Sequence, residues 1–329
     1  MANSLLMPPS SSEPQNALAL SQQAPSFFKS QTSWSLPYPL SLFSNSESQE
    51  KWQSYENILI ACLRTGDNES AYLYLEELTD RFGETNERVI ALRGLYAEAT
   101  ARTPQELDDV MANYEEILKE DPSVFTIRKR RAALLRSMGK TSEAVTALTN
   151  LLDTSPTDVE TWAELADVYV ELGLYEQAIF SLEEVLLFAP NAWNMQAKLG
   201  EVLYLSAVRA EGGDQLKTLS ESMRRFCRSI ELCDYYLRGY YGLKLSTTKL
   251  LDVLATSKKS QQAAADPVTG ELATPSLAAV TKLNEVATSK LVEIVRRSAS
   301  GEKDWDGYNA AEVIAARELI EKDVQKIQR

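Results

Sequence analysis

The chain has 329 residues, 44% hydrophobic and 25% charged, with 34 Lys and Arg against 47 Asp and Glu and a formal net charge of -13. That balance suits a soluble chain with a real core and argues against a general nucleic-acid binder, because phosphate contacts need an excess of Lys and Arg on one face. There is no His, and the three cysteines, Cys62, Cys227 and Cys233, lack Cys-x-x-Cys spacing; the commonest general base, most zinc designs and a disulfide framework are thereby removed, and a reducing compartment fits.

Residues 1–47 are rich in Ser, Pro and Gln and read as a disordered N-terminal tail, since such a segment cannot bury enough surface to fold alone. Its aromatics Phe27, Phe28, Trp34, Tyr38 and Phe43 are candidate stickers for a partner or for the body of the protein. The start lacks the basic region and apolar core of a secretory signal, because Leu5, Leu6 and Met7 run into Pro8 and Pro9. No window approaches the run of about 18 apolar residues that a membrane span needs. The expectation is a cytosolic chain without signal or span.

Over 48–255 apolar residues recur at helical intervals, and Pro122, Pro156 and Pro190 stand 34 residues apart. The unit is a pair of helices with two turns. From Thr161 to Pro190 it matches the tetratricopeptide (TPR) pattern, with Trp162, Leu165, Ala166, Tyr169, Ala178 and Pro190 as framework. Trp162, Leu165, Tyr169 and Leu172 are expected to line one face of the first helix. Ala178 lets the helices approach, Gly173 ends the first, and Pro190 stops the second.

Weaker copies flank this one. Ala132, Leu135, Gly139, Ala144, Leu148 and Pro156 form a degenerate copy with Arg131 at an apolar position, and Tyr55, Ile58, Leu59, Cys62, Gly66, Ala71, Leu75 and Leu78 form another with Gly83 in place of proline. Gly94, Leu95, Val110, Tyr114, Ile117 and Pro122 lie between, with extra residues near Thr100 to Pro104. Leu199, Gly200 and Leu203 begin a copy whose turn is lengthened by RAEGGDQLKTLS, leaving a second helix over 222–232, and a last partial copy follows. Residues 256–276 read as a flexible insertion, and 277–329 as two capping helices, about 277–297 and 308–327. The fold class is all-α, a TPR-like α-solenoid.

No catalytic, cofactor or metal set is expected, and the chain does not read as an enzyme. The sequence GKT at Gly139 to Thr141 lacks the earlier glycine and the strand of a phosphate loop, so it reads as a helix end. The pairs Glu115/Glu116 and Glu183/Glu184 read as solubilising charge, and NES at Asn68 as a turn that stays unmodified. In a TPR unit the second, fifth, ninth and twelfth residues make the groove. These are Thr126, Lys129, Ala133 and Arg136 in one copy and Glu160, Ala163, Asp167 and Val170 in the next, with Glu201 after them. The candidate partner-binding set is Lys129, Arg136, Asp167 and Glu201, the first two lying in the basic run that also holds Arg128, Arg130 and Arg131. The alternative is a solvated basic face paired to neighbouring acids. A clamp for acidic chaperone tails cannot be assembled, because Ala133, Ala163 and Asp167 occupy its positions.

The segments SYENILIACLRTGDNESAYLYLEELTDRFGE, RVIALRGLYAEA, ILKEDPSVFTIRKRRAALLRSMGK, LGEVLYLSAVRAEGG and CRSIELCDYYLRGYYGL, with the Thr161 to Pro190 unit, resemble the family of subunit 2 of the endoplasmic reticulum (ER) membrane protein complex, over roughly 50–250. The resemblance implies a non-catalytic subunit without cofactors, on the cytosolic side of the ER membrane. It would hold cytosolic parts of membrane subunits and a soluble subunit, in a complex that inserts tail-anchored and multipass proteins. Membrane contact would be through partners only. The other reading is a free cytosolic TPR adaptor for chaperone or degradation factors.

Overall fold

The computed structural model describes residues 5–6, 14–32, 49–209, 213–256, 273–303, 305 and 307–327. Among them every regular element is a helix: α1 (Pro14–Thr32), α2 (Gln49–Thr65), α3 (Asn68–Phe82), α4 (Glu87–Thr100), α5 (Pro104–Glu120), α6 (Phe125–Ser137), α7 (Thr141–Thr154), α8 (Val159–Glu171), α9 (Tyr175–Phe188), α10 (Trp193–Arg209), α11 (Gly213–Leu232), α12 (Leu237–Thr256), α13 (Leu277–Ala299) and α14 (Ala310–Ile327). The chain divides into two compact units, 1–147 and 148–329, with the division inside α7.

Local chemistry sets the helix ends. Asp67, Asn86 and Thr103 accept from backbone N–H groups of the first turns of α3, α4 and α5, satisfying donors that have no partner within the helix. Gly139 and Gly173 take φ of 74° and 72°, and the next residues return their N–H to Leu135 O at 2.9 Å and Tyr169 O at 2.8 Å. This left-handed close ends α6 and α8 as their position in the repeat requires. It also disposes of the phosphate-loop look of GKT, since Gly139 serves helix termination.

In the first unit Tyr55, Ile58, Leu59, Cys62, Ala71, Tyr74 and Leu78 form one core, and Met111, Tyr114, Ile127, Leu134, Leu135 and Ala144 another. Gly94 lets Tyr114 through: a Cβ there would stand 2.2 Å from the phenol oxygen. That hydroxyl donates to Glu98 Oε1 at 2.5 Å, and Arg130 grips the same carboxylate through two nitrogens. One network therefore joins α4, α5 and α6.

The tail expected over 1–47 is not disordered over 14–32. That segment is α1, and Ala17, Leu20 and Ala24 are buried. Tyr74 Oη donates to Ala24 O at 2.7 Å, Thr65 Oγ1 to Ser21 Oγ at 2.8 Å, and Phe28 meets the Tyr74 ring edge-on at 5.4 Å. The physical reason is that α2 and α3 present an apolar face. A segment too polar to fold alone gains on it the burial it lacks in isolation. Of the expected stickers, Phe27 and Phe28 dock on this face; Trp34, Tyr38 and Phe43 lie outside the described residues, as does most of 256–276.

In the second unit the framework behaves as expected at Leu165, Ala166 and Ala178, all buried. Leu172 does not: it is the C-cap of α8, still in helical conformation at the helix end, and is 46% exposed. Pro190 follows the α9 C-cap. The turn expected before 222 is also corrected, since α11 already begins at Gly213. Leu216, Leu219, Met223 and Phe226 follow helical spacing and are all buried, so helix formation there is driven by core contacts. Phe226 sits between α10 and α12, where a Cβ on Gly200 or Gly242 would come within 3.1 Å and 2.1 Å of its ring. At the end of the unit Leu237, Tyr240, Leu291, Ile294 and Ala316 close a further core.

Candidate functional site

Successive first helices of the repeat, α8, α10 and α12, each turn one row of side chains to the same side. Residues 34 apart in the frame are Glu160 and Asn194, Ala163 and Ala197, Asp167 and Glu201, and Val170 and Tyr204. Ala163, Asp167, Asn194, Ala197, Glu201 and Tyr204 line a cleft of about 550 Å³, joined by Tyr236, Arg238, Tyr241 and Leu245 of the next copy and by Glu312 and Ala315 of α14. Val170 instead packs against the core.

The cleft's charges form two groups. Lys198 Nζ lies 3.2 Å from Asp167 Oδ1 and 3.9 Å from Glu201 Oε2. Arg238 donates through Nε and Nη2 to Glu312 Oε1 at 3.0 Å and 2.7 Å. Three carboxylates thus face two cations, and the exposed pairs hold each other only weakly. Burial raises the phenol pKa of Tyr204 and Tyr236 above the usual 10.0, so both are neutral hydrogen-bonding groups at physiological pH. Phe226 and Leu182 make the floor. The result is a groove with an apolar, aromatic base and a polar rim of slightly negative balance, suited to the side chains and backbone of another polypeptide.

The other candidate residues lie in the first unit. Lys129 and Arg136 on α6 are both half-buried, and Lys129 Nζ stands 5.6 Å from the Phe125 ring. In the same basic run Arg130 pairs with Glu98, and Arg131 with Glu115 at 3.1 Å. Sequence reasoning found Asp167 and Glu201 but missed Lys198, Arg238 and Glu312. The shift of 34 residues would have found Asn194, Ala197 and Tyr204; Glu312 comes from outside the repeat, and no spacing signals it. Among the described residues no helix is long and apolar enough to cross a membrane.

Residues 85–217 match the family model described as the EMC2 TPR-like repeat domain. The chain is 37% identical over 228 residues to TPR repeat protein oca3 of Schizosaccharomyces pombe, covering 67% of this chain and 77% of that protein. It is 32% identical over 211 residues to ER membrane protein complex subunit 2-A of Xenopus laevis, covering 64% of this chain and 67% of that one. The chain belongs to the ER membrane protein complex subunit 2 family. The family member of Saccharomyces cerevisiae is more distant, 24% identical over 230 residues, with 64% of this chain and 77% of that one covered. A tetratricopeptide repeat protein from Parabacteroides merdae superposes with a TM-score of 0.43 at 16% identity, over 83% of this chain and 98% of that one. The family match to 85–217 includes the α8 and α10 walls of the cleft, whereas α12 and α14 lie beyond it.

Proposed function

We propose that the chain is a non-catalytic scaffold subunit of an ER membrane protein complex. It sits peripherally on the cytosolic face of the ER membrane, holds cytosolic parts of membrane subunits and a soluble subunit, and so supports insertion of tail-anchored and multipass proteins. The observation that carries this reading is the repeat-built cleft of the second unit. Its walls come from equivalent positions of successive copies, the arrangement by which stacked helix pairs offer an extended surface to another chain. Lys129 and Arg136 are proposed as a second contact, able to meet carboxylates of a partner.

The test is purification of the tagged full chain from gently detergent-solubilised membranes. Co-isolation of a stable set of membrane subunits is expected, and Glu201→Arg with Tyr241→Ala should lower its recovery while helical content stays the same. Recovery of chaperones alone would favour the free adaptor, and recovery of no partner would remove both readings. Membrane release should be assayed with salt at neutral pH. Alkaline extraction would ionise buried tyrosines, and unfolding would then pass for release.

A further inference from the structure

We propose that the outer face of α9 is a second docking surface, for a partner helix whose apolar seam is flanked by Lys or Arg. The inference is independent of the cleft. Leu187 is 71% exposed, Phe180 56% and Phe188 47%. At 100° per residue they share one side of α9, and Trp162 of α8 extends the seam by meeting Phe180 edge-on at 5.9 Å. Large apolar groups this exposed cost solubility, and a cluster on one helix face marks a contact more often than an accident.

The repeat itself shows that the scaffold does not require them. One unit earlier, the positions of Phe180, Leu187 and Phe188 are held by Thr146, Asp153 and Thr154, all exposed, in a copy that keeps its framework Ala144 and Leu148 buried. The same backbone is therefore built without an apolar outer face, and the hydrophobic character at 180, 187 and 188 is an addition to the fold.

Charge selects the occupant. Glu176 and Glu183 lie along one edge of the seam, and half-buried Glu184 falls within it between Phe180 and Phe188; among the described residues Arg225 pairs with Glu183 only at 4.0 Å. An apolar ridge with acids along one edge and within it fits a helix whose apolar stripe is flanked by bases, in the manner of a helix laid on a complementary surface. A plain hydrophobic or acidic helix would leave these carboxylates beside apolar or like-charged groups.

The experiment uses the full chain and a synthetic amphipathic helix of about four turns with a Leu seam flanked by Arg, beside the same seam flanked by Glu. Binding is read by fluorescence anisotropy. The Arg-flanked helix should bind, the Glu-flanked one should bind about tenfold or more weaker, and Phe180→Thr with Leu187→Asp should weaken the Arg-flanked helix by about tenfold with an unchanged melting temperature. Glu176→Lys with Glu184→Lys is the second variant, and it should give a similar loss. Equal binding of the two helices, or full binding by either variant, overturns the proposal. A lowered melting temperature for Phe180→Thr with Leu187→Asp would make those residues structural and also overturn it. Light scattering covers the remaining occupant: a dimer of the full chain that the same variant dissolves would assign the face to a second copy instead.

Discussion

At the scale of single residues, one member of the basic run on α6 has a clear structural role. Arg130 is committed to the Glu98 and Tyr114 network, so Glu98→Gln should destabilise the first unit by about 2 kcal/mol, less than a fully buried pair would because Arg130 keeps some exposure; urea denaturation reads the loss. Lys129 and Arg136 are the proposed contact pair, and reversing both to Glu should weaken one partner in co-purification with the circular dichroism spectrum unchanged. A collapse of that spectrum would make them structural. Burial also acts on the thiols, pushing Cys62 and Cys227 up to about 11. At pH 8 in the native state both should alkylate far more slowly than in urea, because the thiolate is the reactive form.

At the scale of elements, close approach of helices depends on a few positions without a side chain. Gly242→Ala would bring a methyl within 2.1 Å of the Phe226 ring, and overpacking of this kind costs about 1–3 kcal/mol. The expected drop in thermal stability should be smaller when Phe226 is also shortened to Leu; additive losses would show that the ring is not the cause. The docked α1 makes a similar point. Its helix is held by contacts of Ala24, Phe27 and Phe28 with α2 and α3, so Ala24→Glu should raise hydrogen exchange throughout α1 while α6 keeps its protection.

At the scale of the whole molecule, stability should fall in alkali. Burial, with Glu77 adding to it, pushes Tyr55 from 10.0 up to about 12, and Tyr74, Tyr114 and Tyr240 are raised further in the same direction. A raised folded pKa means that the folded chain binds more protons than the unfolded one above pH 10. The stability these groups contribute is therefore complete below pH 10 and lost as pH climbs through about 12 for Tyr55. Urea midpoints measured from pH 8 upward should hold level and then drop across that window; a level midpoint throughout would contradict the buried state of these phenols.

The helical class, the repeat length, the framework from Trp162 to Pro190 and the glycine stops at Gly139 and Gly173 were legible in the sequence, because each follows from local periodicity or from one backbone conformation. Asp167 and Glu201 could be placed on one side of the solenoid for the same reason, since a repeat sends equivalent residues the same way. Tertiary contact decided the rest. Residues 14–32 are helical because α2 and α3 cover them, and α11 starts at Gly213 because Leu216 and Leu219 find a core. Lys198 takes both acids, and Glu312 reaches the cleft from a helix outside the repeat. Sequence determines what recurs along the chain; which unlike segments meet, and which apolar side chains such as Leu187 are left uncovered, depends on packing between elements far apart in it.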